Sequence, residues 1–494
     1  MNRETINLAA VLPTVALSVI GVLIMALGPF SKRGRPNRMG LLALLGVIAA
    51  AFALVPMMNP VNRGFWYSGL WVVDDYSAFF HATFLLIAGL TALGSMDYLR
   101  RQKMDHPEYY ALLMFATAGM LTMAASEDLI VIFIGLEALS ISTYVLAGFR
   151  RTDLKSNESA MKYFLLGSFA SAFFLYGIAL IFGATGSTNL AGIADGIRLI
   201  GEEPSGTSQI ALVYLAAALM LIALCFKVAA APFHVWTPDV YEGAPTPVTA
   251  FMSVGPKAAG FAVLLRVFVS AFGYPSLQDR WQAAIGIIAI LTMTLGNIVA
   301  TVQPNIKRML AYSSIAHAGY VAVGLAAAAK QPDGAVSAAL FYLLAYAATN
   351  LGAFAIVSVL GRSEDKLTNV SDYAGLARKR PVLAALLSLF LLSLAGVPGT
   401  AGFTAKFFIF RAAVDSGLYS LASVGALTTV VSFYFYLYVI VQMYMREPHE
   451  DFADVGVPAT GALLLAVAAV ATVYLGVWPN DVLNWSLEAA RSLH

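Results

Sequence analysis

The chain has 494 residues, of which 59% are hydrophobic and only 12% are charged, whereas a soluble globular domain usually carries about 25% charged residues. This composition predicts an integral membrane protein, and the net charge of +2 gives no reason to expect a nucleic acid as a partner. The single cysteine, Cys225, excludes an internal disulfide, a cysteine-held iron–sulfur cluster and a structural zinc site. The sequence has no glycine-rich phosphate-binding motif, so any redox chemistry is expected in another chain.

Runs of apolar residues predict fourteen membrane-spanning helices, since about 20 such residues cross the hydrocarbon core of a bilayer. The predicted spans are 6–28, 38–58, 75–96, 108–125, 128–148, 159–183, 208–231, 246–272, 282–301, 305–328, 334–360, 382–411, 418–444 and 456–478. Only Ser126, Glu127 and Asp128 separate the fourth span from the fifth, so the count depends on that acidic break.

Lysine and arginine are distributed unequally between the two sides that these spans define. If residue 1 is outside, the inside loops hold eighteen such residues and the outside segments hold six. The positive-inside rule therefore predicts that both termini are periplasmic. The inside residues are Lys32, Arg33, Arg35, Arg38, Arg100, Arg101, Lys103, Arg150, Arg151, Lys155, Lys307, Arg308, Arg362, Lys366, Arg378, Lys379, Arg380 and Arg446, and the outside ones are Arg3, Arg63, Arg198, Arg280, Lys330 and Arg491.

The spans contain an internal repeat. Similar segments begin at Ser159 and Ser337, 178 residues apart, and Lys227 and Lys406 are 179 residues apart. Because this offset covers five spans, an odd number, the two copies must cross the membrane in opposite directions, as in the inverted repeats of many transporters. We predict an all-α polytopic domain with N-terminal helices in 1–100, a first repeat in 108–272, an inverted second repeat in 282–444, and a C-terminal helix and tail in 456–494.

Three lysines, Lys227, Lys257 and Lys406, lie inside apolar spans. A charge near the bilayer centre costs at least roughly 2.5–3.5 kcal/mol, so such a residue tends to face protein or water and is a candidate for function. Three of them in one chain indicate a path for charge, and a proton is the charge that lysine carries most readily.

Prolines beside these lysines predict broken helices. Pro232, Pro256 and Pro398 each lack the backbone N–H that would bond to the carbonyl four residues earlier. Such free groups are tolerated at membrane depth only where protein or water satisfies them, so hydrated interior sites are expected. Simple kinks without function are the alternative. The freed carbonyls are those of Val228, Met252 and Leu394.

Glu137 lies about ten residues into its span, near the midplane, and a carboxylate there is expected to have a partner. Lys227 is the natural candidate if the fifth and seventh spans pack together. The lysine would hold its proton while paired and release it when separated. The alternative is an ion pair that only fixes helix packing.

The remaining candidates would extend the path. Lys257 could receive the proton, His317 suits a relay because it titrates near neutral pH, and Lys406 would be the last station. Alternatively, the histidine is only a hydrogen-bonded interior residue. His317 follows Glu137 by 180 residues, close to the repeat offset. Nearby side chains that could hold water are those of Ser313, Ser314 and Tyr320.

Other polar residues in or beside spans have two possible roles each. Lys162 could snorkel to the inner surface or gate proton uptake beside Glu137, and Arg266 and Arg411 could snorkel or pair structurally. The loop with His234, Asp239 and Glu242 matches no zinc spacing and is typical of a structured re-entry between spans, so no metal site is predicted.

Three stretches carry a family resemblance: FKVAAAPFHVWTPDVYEGAPTPVTAFMSVGPKAAGF at 226–261, IKRMLAYSSIAHAGY at 306–320 and GVPGTAGFTAKFFIF at 396–410. The chain resembles the antiporter-like proton-pumping subunits of respiratory complex I over nearly its whole length. Within that family it most resembles subunit N of the bacterial NADH:quinone oxidoreductase. Fourteen spans fit, and Lys406 argues against subunit M.

The resemblance implies roles and partners. Glu137 and Lys227 would be the coupled pair, Lys257 and His317 the central relay, and Lys406 the far-side proton carrier. The partners would be other membrane subunits in a bacterial inner membrane and, remotely, a peripheral arm with FMN and iron–sulfur clusters. No cofactor is expected in this chain, and NADH and quinone would act at other subunits. A sodium/proton antiporter subunit and a purely structural membrane subunit are the alternatives.

Overall fold

The computed structural model describes residues 6–30, 38–202, 207–361, 365, 367–448, 452 and 456–493. The helices of this part are α1 (Leu8–Leu27), α2 (Arg38–Met57), α3 (Asp75–Arg101), α4 (Pro107–Ala125), α5 (Leu129–Ala147), α6 (Leu154–Thr185), α7 (Leu190–Glu202), α8 (Thr207–Val228), α9 (Thr237–Gly243), α10 (Thr246–Arg266), α11 (Pro275–Ala300), α12 (Ile306–Ala328), α13 (Pro332–Leu360), α14 (Leu376–Lys379), α15 (Pro381–Ala395), α16 (Ala401–Asp415), α17 (Tyr419–Met445), α18 (Ala459–Val477) and α19 (Asn480–Arg491). Short 3₁₀ turns occupy Gly28–Phe30, Pro60–Asn62 and Val370–Tyr373, and a π-helical turn, Val267–Ala271, extends α10.

The membrane passages agree with the sequence prediction of a helical polytopic fold. Twelve helices in the described part are long and apolar enough to cross a bilayer. The other two predicted spans correspond to α4 and to the pair α15 and α16. The acidic break between the fourth and fifth spans is confirmed, because α4 ends at Ala125 and the Asp128 carboxylate caps α5 by accepting the N–H of Ile130 at 2.8 Å.

A small hairpin between α2 and α3 was not predicted from the apolar runs, and neither were the helices α7, α9, α14 and α19, which lie outside the predicted spans. Strands β1 (Gly64–Trp66) and β2 (Trp71–Val73) pair antiparallel, with Gly64 opposite Val73. The strands are only three residues long, so their alternation is too short to stand out beside the adjacent spans.

The helices are arranged around a buried centre. Helices α10, α12 and α13 are almost entirely covered by the rest of the chain, whereas only about a third of the residues of α1, α6, α17 and α18 are buried, as in lipid-facing or partner-facing helices. Each predicted repeat contains five passages, and in each the fourth is interrupted: α8 and α9 in the first, α15 and α16 in the second.

The two interruptions have different geometry. Helix α8 ends one residue after Lys227, and Ala229 then adopts φ 60° before α9 starts. Helix α15 ends before Gly396, at φ 95°, and Lys406 lies beyond the break, in the second turn of α16. The two lysines are therefore on opposite sides of their breaks. Gly402 allows α16 to pack closely, since a Cβ there would collide with the carbonyl of Ser393.

Pro256 does not interrupt its helix. Helix α10 continues through it from Thr246 to Arg266. The Met252 carbonyl, which Pro256 leaves without its helical donor, accepts a hydrogen bond from the Tyr241 hydroxyl at 3.2 Å. Because a side chain satisfies this carbonyl, the helix can continue without a break that would bring the carbonyl into contact with water.

Candidate functional site

Lys227 is buried at the end of α8 among neutral groups. Its Nζ donates to the Ser140 hydroxyl of α5 at 2.7 Å and lies 5.9 Å and 5.7 Å from the ring centres of Tyr144 and Tyr163. Aromatic faces attract a cation without binding its proton. The ammonium is thus stabilised by a hydroxyl and two rings.

Glu137 lies one turn from Ser140 on the same face of α5. Its Oε1 accepts the hydroxyl of Ser171 in α6 at 2.5 Å. Within the described residues, no ion pair joins it to Lys227. The structure therefore makes Ser140, one turn along α5 from Glu137, the hydrogen-bond partner of Lys227, while Glu137 itself is bonded to Ser171.

Lys257 is buried in the central helix α10. Its Nζ donates to the Ser314 carbonyl at 2.8 Å and to the Ser314 hydroxyl at 2.6 Å. The ring of Tyr241 lies 5.9 Å away. Once more the ammonium is held by a hydroxyl, a carbonyl and an aromatic face, and the described residues place no carboxylate in contact with it.

Aromatic rings fill the space between Lys227 and Lys257. The Tyr163 ring, under Lys227, stacks on Trp236 at 4.4 Å. Trp236 meets the Tyr241 ring, which lies under Lys257, at 6.1 Å. These rings place the two lysines in sequence along one line of contacts.

His317 lies further along the same line, in α12. One ring nitrogen, Nδ1, lies 2.7 Å from the Tyr342 hydroxyl, and the other, Nε2, lies 3.3 Å from that of Tyr436. The ring stacks on Tyr346 at 4.8 Å. Because both nitrogens face hydroxyls that can donate or accept, the imidazole can take a proton on one side and release it on the other.

Lys406 completes the line at the second break. Its Nζ donates to the carbonyls of Leu394 and Ala395, both at 3.0 Å, and lies 4.8 Å from the ring centre of Tyr320. The Tyr320 ring is 5.8 Å from that of His317. The sequence predicted that Pro398 would free the Leu394 carbonyl, and the lysine side chain is the group that satisfies it.

We call these four residues, Lys227, Lys257, His317 and Lys406, the relay row. The contacts follow the order that the sequence analysis expected. What the sequence analysis missed is the set of tyrosines between them, although a buried tyrosine hydroxyl usually requires a partner and could have drawn attention to these positions. The missed tyrosines are Tyr144, Tyr163, Tyr241, Tyr342, Tyr346 and Tyr436.

A cavity of about 190 Å³ lies beside the row. It is lined by His317 and Tyr346 on one side and by Ser393 and Leu394 of α15 on the other. The Tyr346 hydroxyl has no hydrogen-bond partner within the described part of the chain. The cavity therefore adjoins both the imidazole and the helix end at which Lys406 donates.

Lys162 lies away from Glu137, at the surface where α3 ends and α6 and α12 begin. Its Nζ contacts Asp239 and Glu158, both at 2.6 Å, and it is nine residues along α6 from Ser171, the partner of Glu137. We call this surface the basic face. Arg308 joins Asp239 at 2.7 Å on the same face.

The carboxylates of the α9 region, which were weighed as metal ligands, are held by basic side chains. Glu242 contacts Lys155 at 2.9 Å and Arg308 at 2.9 Å. Burial raises the pKa of Asp239, but hydrogen bonds from Lys162 and Arg308 outweigh burial and bring that pKa below its usual value. No group of three potential metal ligands occurs among the residues that the structure describes.

Lys307 is a further buried lysine whose position the sequence analysis did not foresee, since it was assigned to an inside loop. Its Nζ donates to the carbonyls of Glu242 and Ala244, at 2.8 and 2.7 Å. These carbonyls lie at the end of α9, which therefore gains a fixed anchor on α12.

Arg266 is completely buried at the opposite end of α10 and is paired with carboxylates. It contacts Asp74 at 2.9 Å and Glu127 at 2.5 Å, and its guanidinium lies 4.7 Å from the Tyr76 ring. Of the two roles considered for Arg266, the structure supports pairing. Arg411 meets Asp415 at 3.6 Å on an exposed face.

Comparison with known proteins places this arrangement in a family. The family model described as NADH:quinone oxidoreductase/Mrp antiporter, TM, matches residues 126–432. The NADH-quinone oxidoreductase subunit N of Trichlorobacter lovleyi is 46% identical over 488 residues, covering 99% of this chain and 98% of the relative. The chain belongs to the subunit N family of NADH-quinone oxidoreductase.

Solved structures agree with this assignment. A chain of respiratory complex I from Thermus thermophilus matches with a TM-score of 0.78 and 36% identity, covering 96% of this chain and 98% of that one. A chain of the Mrp complex from Dietzia sp. matches with a TM-score of 0.82 over 99% of this chain and 98% of that one, but at 22% identity. The second likeness shows the fold alone.

Proposed function

We propose that this chain, a membrane subunit of a NADH:quinone oxidoreductase, translocates protons along the relay row, with Glu137 as the partner that loads and unloads Lys227. One observation carries the proposal. The buried lysines are held by hydroxyls, carbonyls and aromatic faces, which favour the ammonium but carry no full negative charge to fix it in that form. A lysine in such surroundings can lose its proton without leaving a buried carboxylate unpaired.

The contacts of the relay row support the following order of steps. Ser140 touches Lys227 and Ser314 touches Lys257, and a hydroxyl can accept a proton on one lone pair while it donates its own. From Ser314 the proton would reach His317, and then the carbonyl-bound amine of Lys406. Aromatic rings rather than hydrogen bonds join Lys227 to Lys257 and His317 to Lys406, so both transfers require water between the two groups.

We also propose the orientation and partners of the chain. The basic face would be cytoplasmic and both termini periplasmic in a bacterial inner membrane, with repeat limits of 108–272 and 282–444. Neighbouring antiporter-like subunits would flank the chain, and a peripheral arm would hold FMN and iron–sulfur clusters and bind NADH. Six of the cations used for orientation lie outside the described residues: Arg3, Lys32, Arg33, Arg35, Arg362 and Lys366.

The test is a Lys227→Ala variant in the assembled complex, studied in membrane vesicles. NADH-driven proton pumping is expected to fall at least about tenfold, because a positioned proton carrier contributes roughly 10²–10⁴-fold. Coupled quinone reduction is expected to fall together with pumping. Lys155→Ala is the matched control, because Lys155 is an exposed lysine on the basic face and off the row.

Undiminished pumping by an assembled Lys227→Ala complex would refute the proposal. The description of the matching family model, which names the Mrp antiporter beside NADH:quinone oxidoreductase, also motivates a sodium-dependence measurement. Sodium-dependent proton movement in vesicles without NADH would favour a sodium/proton antiporter instead. Pumping that depends on NADH and not on sodium supports the proposal.

A further inference from the structure

Helix α10 carries a line of polar side chains on one face. Thr246, Thr249, Ser253 and Lys257 follow each other at intervals of three, four and four residues, which is the spacing of one helix face. The line begins at the basic face, where α10 starts. Between Lys257 and Arg266 the sequence is AAGFAVLL, without a polar side chain. The polar side chains of this line therefore extend from Lys257 to one side of the membrane only, the side of the basic face.

The outer end of this line meets a buried carboxylate. Asp365 Oδ2 accepts the hydroxyl of Tyr98 at 2.6 Å, Nη2 of Arg150 at 3.1 Å and the hydroxyl of Thr246 at 3.2 Å. Its side chain is 9% exposed. The carboxylate therefore stands at the boundary between the basic face and the first hydroxyl of α10.

The middle of the line has an acceptor available for water. Ser253 accepts Nδ2 of Asn350, in α13, at 2.6 Å. The Oδ1 atom of Asn350 is buried and has no hydrogen-bond partner within the described residues. An unsatisfied buried oxygen beside a hydroxyl is a site that an ordered water satisfies.

We propose that Asp365 takes up protons at the basic face and that this line of α10, the uptake stripe, delivers them to Lys257; the inference rests on the proposed function. A proton from the medium binds the Asp365 carboxylate. It passes by hydroxyl and water exchange and ends on the neutral amine of Lys257, with each hydroxyl gaining one proton and losing one. The hydroxyls of Thr249 and Ser253 donate to the carbonyls of Tyr241 and Ala250 and turn away from them to pass the proton on. The rise between successive polar residues is roughly 4.5–6 Å, a gap that one water spans.

Asp365 could instead serve only to hold three segments together through Tyr98, Arg150 and Thr246. The two roles differ in what a conservative replacement does. A structural role of Ser253 depends on volume and packing, whereas delivery depends on a hydroxyl at that position. Rescue by a hydroxyl-bearing side chain therefore separates them.

The experiment measures NADH-driven proton pumping in vesicles that contain the assembled complex. Asp365→Asn and Ser253→Ala are expected to lower the pumping rate about tenfold, since each removes a proton-carrying group. Ser253→Thr is expected to retain most of the rate. Thr117→Val is the control for a buried hydroxyl off the stripe, because Thr117 donates to the Leu113 carbonyl at 2.7 Å.

Pumping by Lys257→Ala is measured in parallel, so that a failure of the uptake stripe can be told apart from a failure of the proposed function. Loss of pumping in Lys257→Ala with normal pumping in Ser253→Ala overturns the uptake stripe alone. Normal pumping in Lys257→Ala overturns the proposed function. If Asp365→Asn fails to assemble, the Ser253→Ala and Ser253→Thr variants decide. Equally slow pumping in both variants overturns the uptake stripe, and near-normal pumping in Ser253→Thr alone supports it.

Discussion

The buried cations of this protein fall into two kinds of region. Arg266 is surrounded by Asp74 and Glu127, so its charge is matched by fixed negative charges. Lys227 and Lys406 are as deeply buried, but their nitrogens contact a hydroxyl and two backbone carbonyls. Burial alone therefore does not distinguish a structural charge from a proton carrier. Neutral partners are needed as well, because arginine does not deprotonate whereas lysine among neutral acceptors can. They are not sufficient, since Lys307 is also held by two carbonyls but anchors the end of α9.

The largest expected effect lies in the paired region. Arg266→Ala would leave two buried carboxylates without a cation, at a cost of about 3–5 kcal/mol. We expect loss of assembled complex, measured by native electrophoresis and by the melting temperature of what remains. Arg266→Lys should restore part of the assembly, because it returns one positive charge. A stable Arg266→Ala complex would show that the carboxylates do not need this partner.

Lys406→Arg tests the other side of the comparison. The variant keeps a positive charge at the second break but cannot release its proton, so pumping should fall roughly a hundredfold while assembly persists. The readout is proton pumping normalised to the amount of complex. Arg266→Lys is the reciprocal control and should pump. Normal pumping by Lys406→Arg would mean that this site needs only a fixed charge.

Glu137→Gln sharpens the comparison within the relay row. Since no ion pair joins Glu137 to Lys227 among the described residues, the carboxylate acts at a distance, and its removal should slow pumping about tenfold, or roughly 1–2 kcal/mol. Ser171→Ala, which removes the hydrogen bond to Glu137 and keeps its charge, should have a smaller effect. If Glu137→Gln is as severe as Lys227→Ala, the two residues act as one unit.

The smallest effect is expected at the basic face. The pKa of Asp239 lies below its ordinary value of 3.8, since hydrogen bonds from Lys162 and Arg308 outweigh burial. Its pairing therefore stabilises the fold above about pH 4 and is lost as the pH falls through the lowered pKa. Because the side chain is partly exposed, Asp239→Asn should cost only about 0.2–1 kcal/mol.

The melting temperature of the solubilised complex checks this prediction. The difference between the parent protein and Asp239→Asn should be constant from pH 5 to pH 8, decrease below about pH 4, and weaken with added salt. A difference that grows as the pH falls would contradict the assignment of Lys162 and Arg308 as the partners.

The sequence predicted the parts of this molecule that depend on local pattern. Apolar run length located the membrane passages, and Pro232 and Pro398 located the two breaks, because both signals are contained in neighbouring residues. The repeat offset and the family resemblance also gave an order for the relay row, and the proton-carrying roles in it stay a prediction. The prediction of a helix break at Pro256 was wrong. The Met252 carbonyl that Pro256 leaves free is satisfied by the Tyr241 hydroxyl, which comes from a different helix and could not be read from neighbouring residues.

What the sequence did not reveal depends on contacts between distant segments. Ser140 of α5 meets Lys227 of α8 because both helices pack on α6 and α10, and the hydropathy pattern of neither helix records this contact. Lys307 looked like a loop charge, since only the fold brings the end of α9 to it. Register and packing of helices across the bundle set such contacts, and a single sequence carries little information on either.

At both breaks, the buried lysine lies close to the C-terminal end of a helix. Lys227 stands in the last turn of α8, and Lys406, although it follows its break, reaches back to the last carbonyls of α15. Both lysines are thus associated with the C-terminus of a half-helix, where aligned peptide dipoles amount to roughly half a negative charge. Such a counter-charge cannot be protonated and does not move. It attracts the ammonium less strongly than a carboxylate would, so a proton can be held at membrane depth and still be given up.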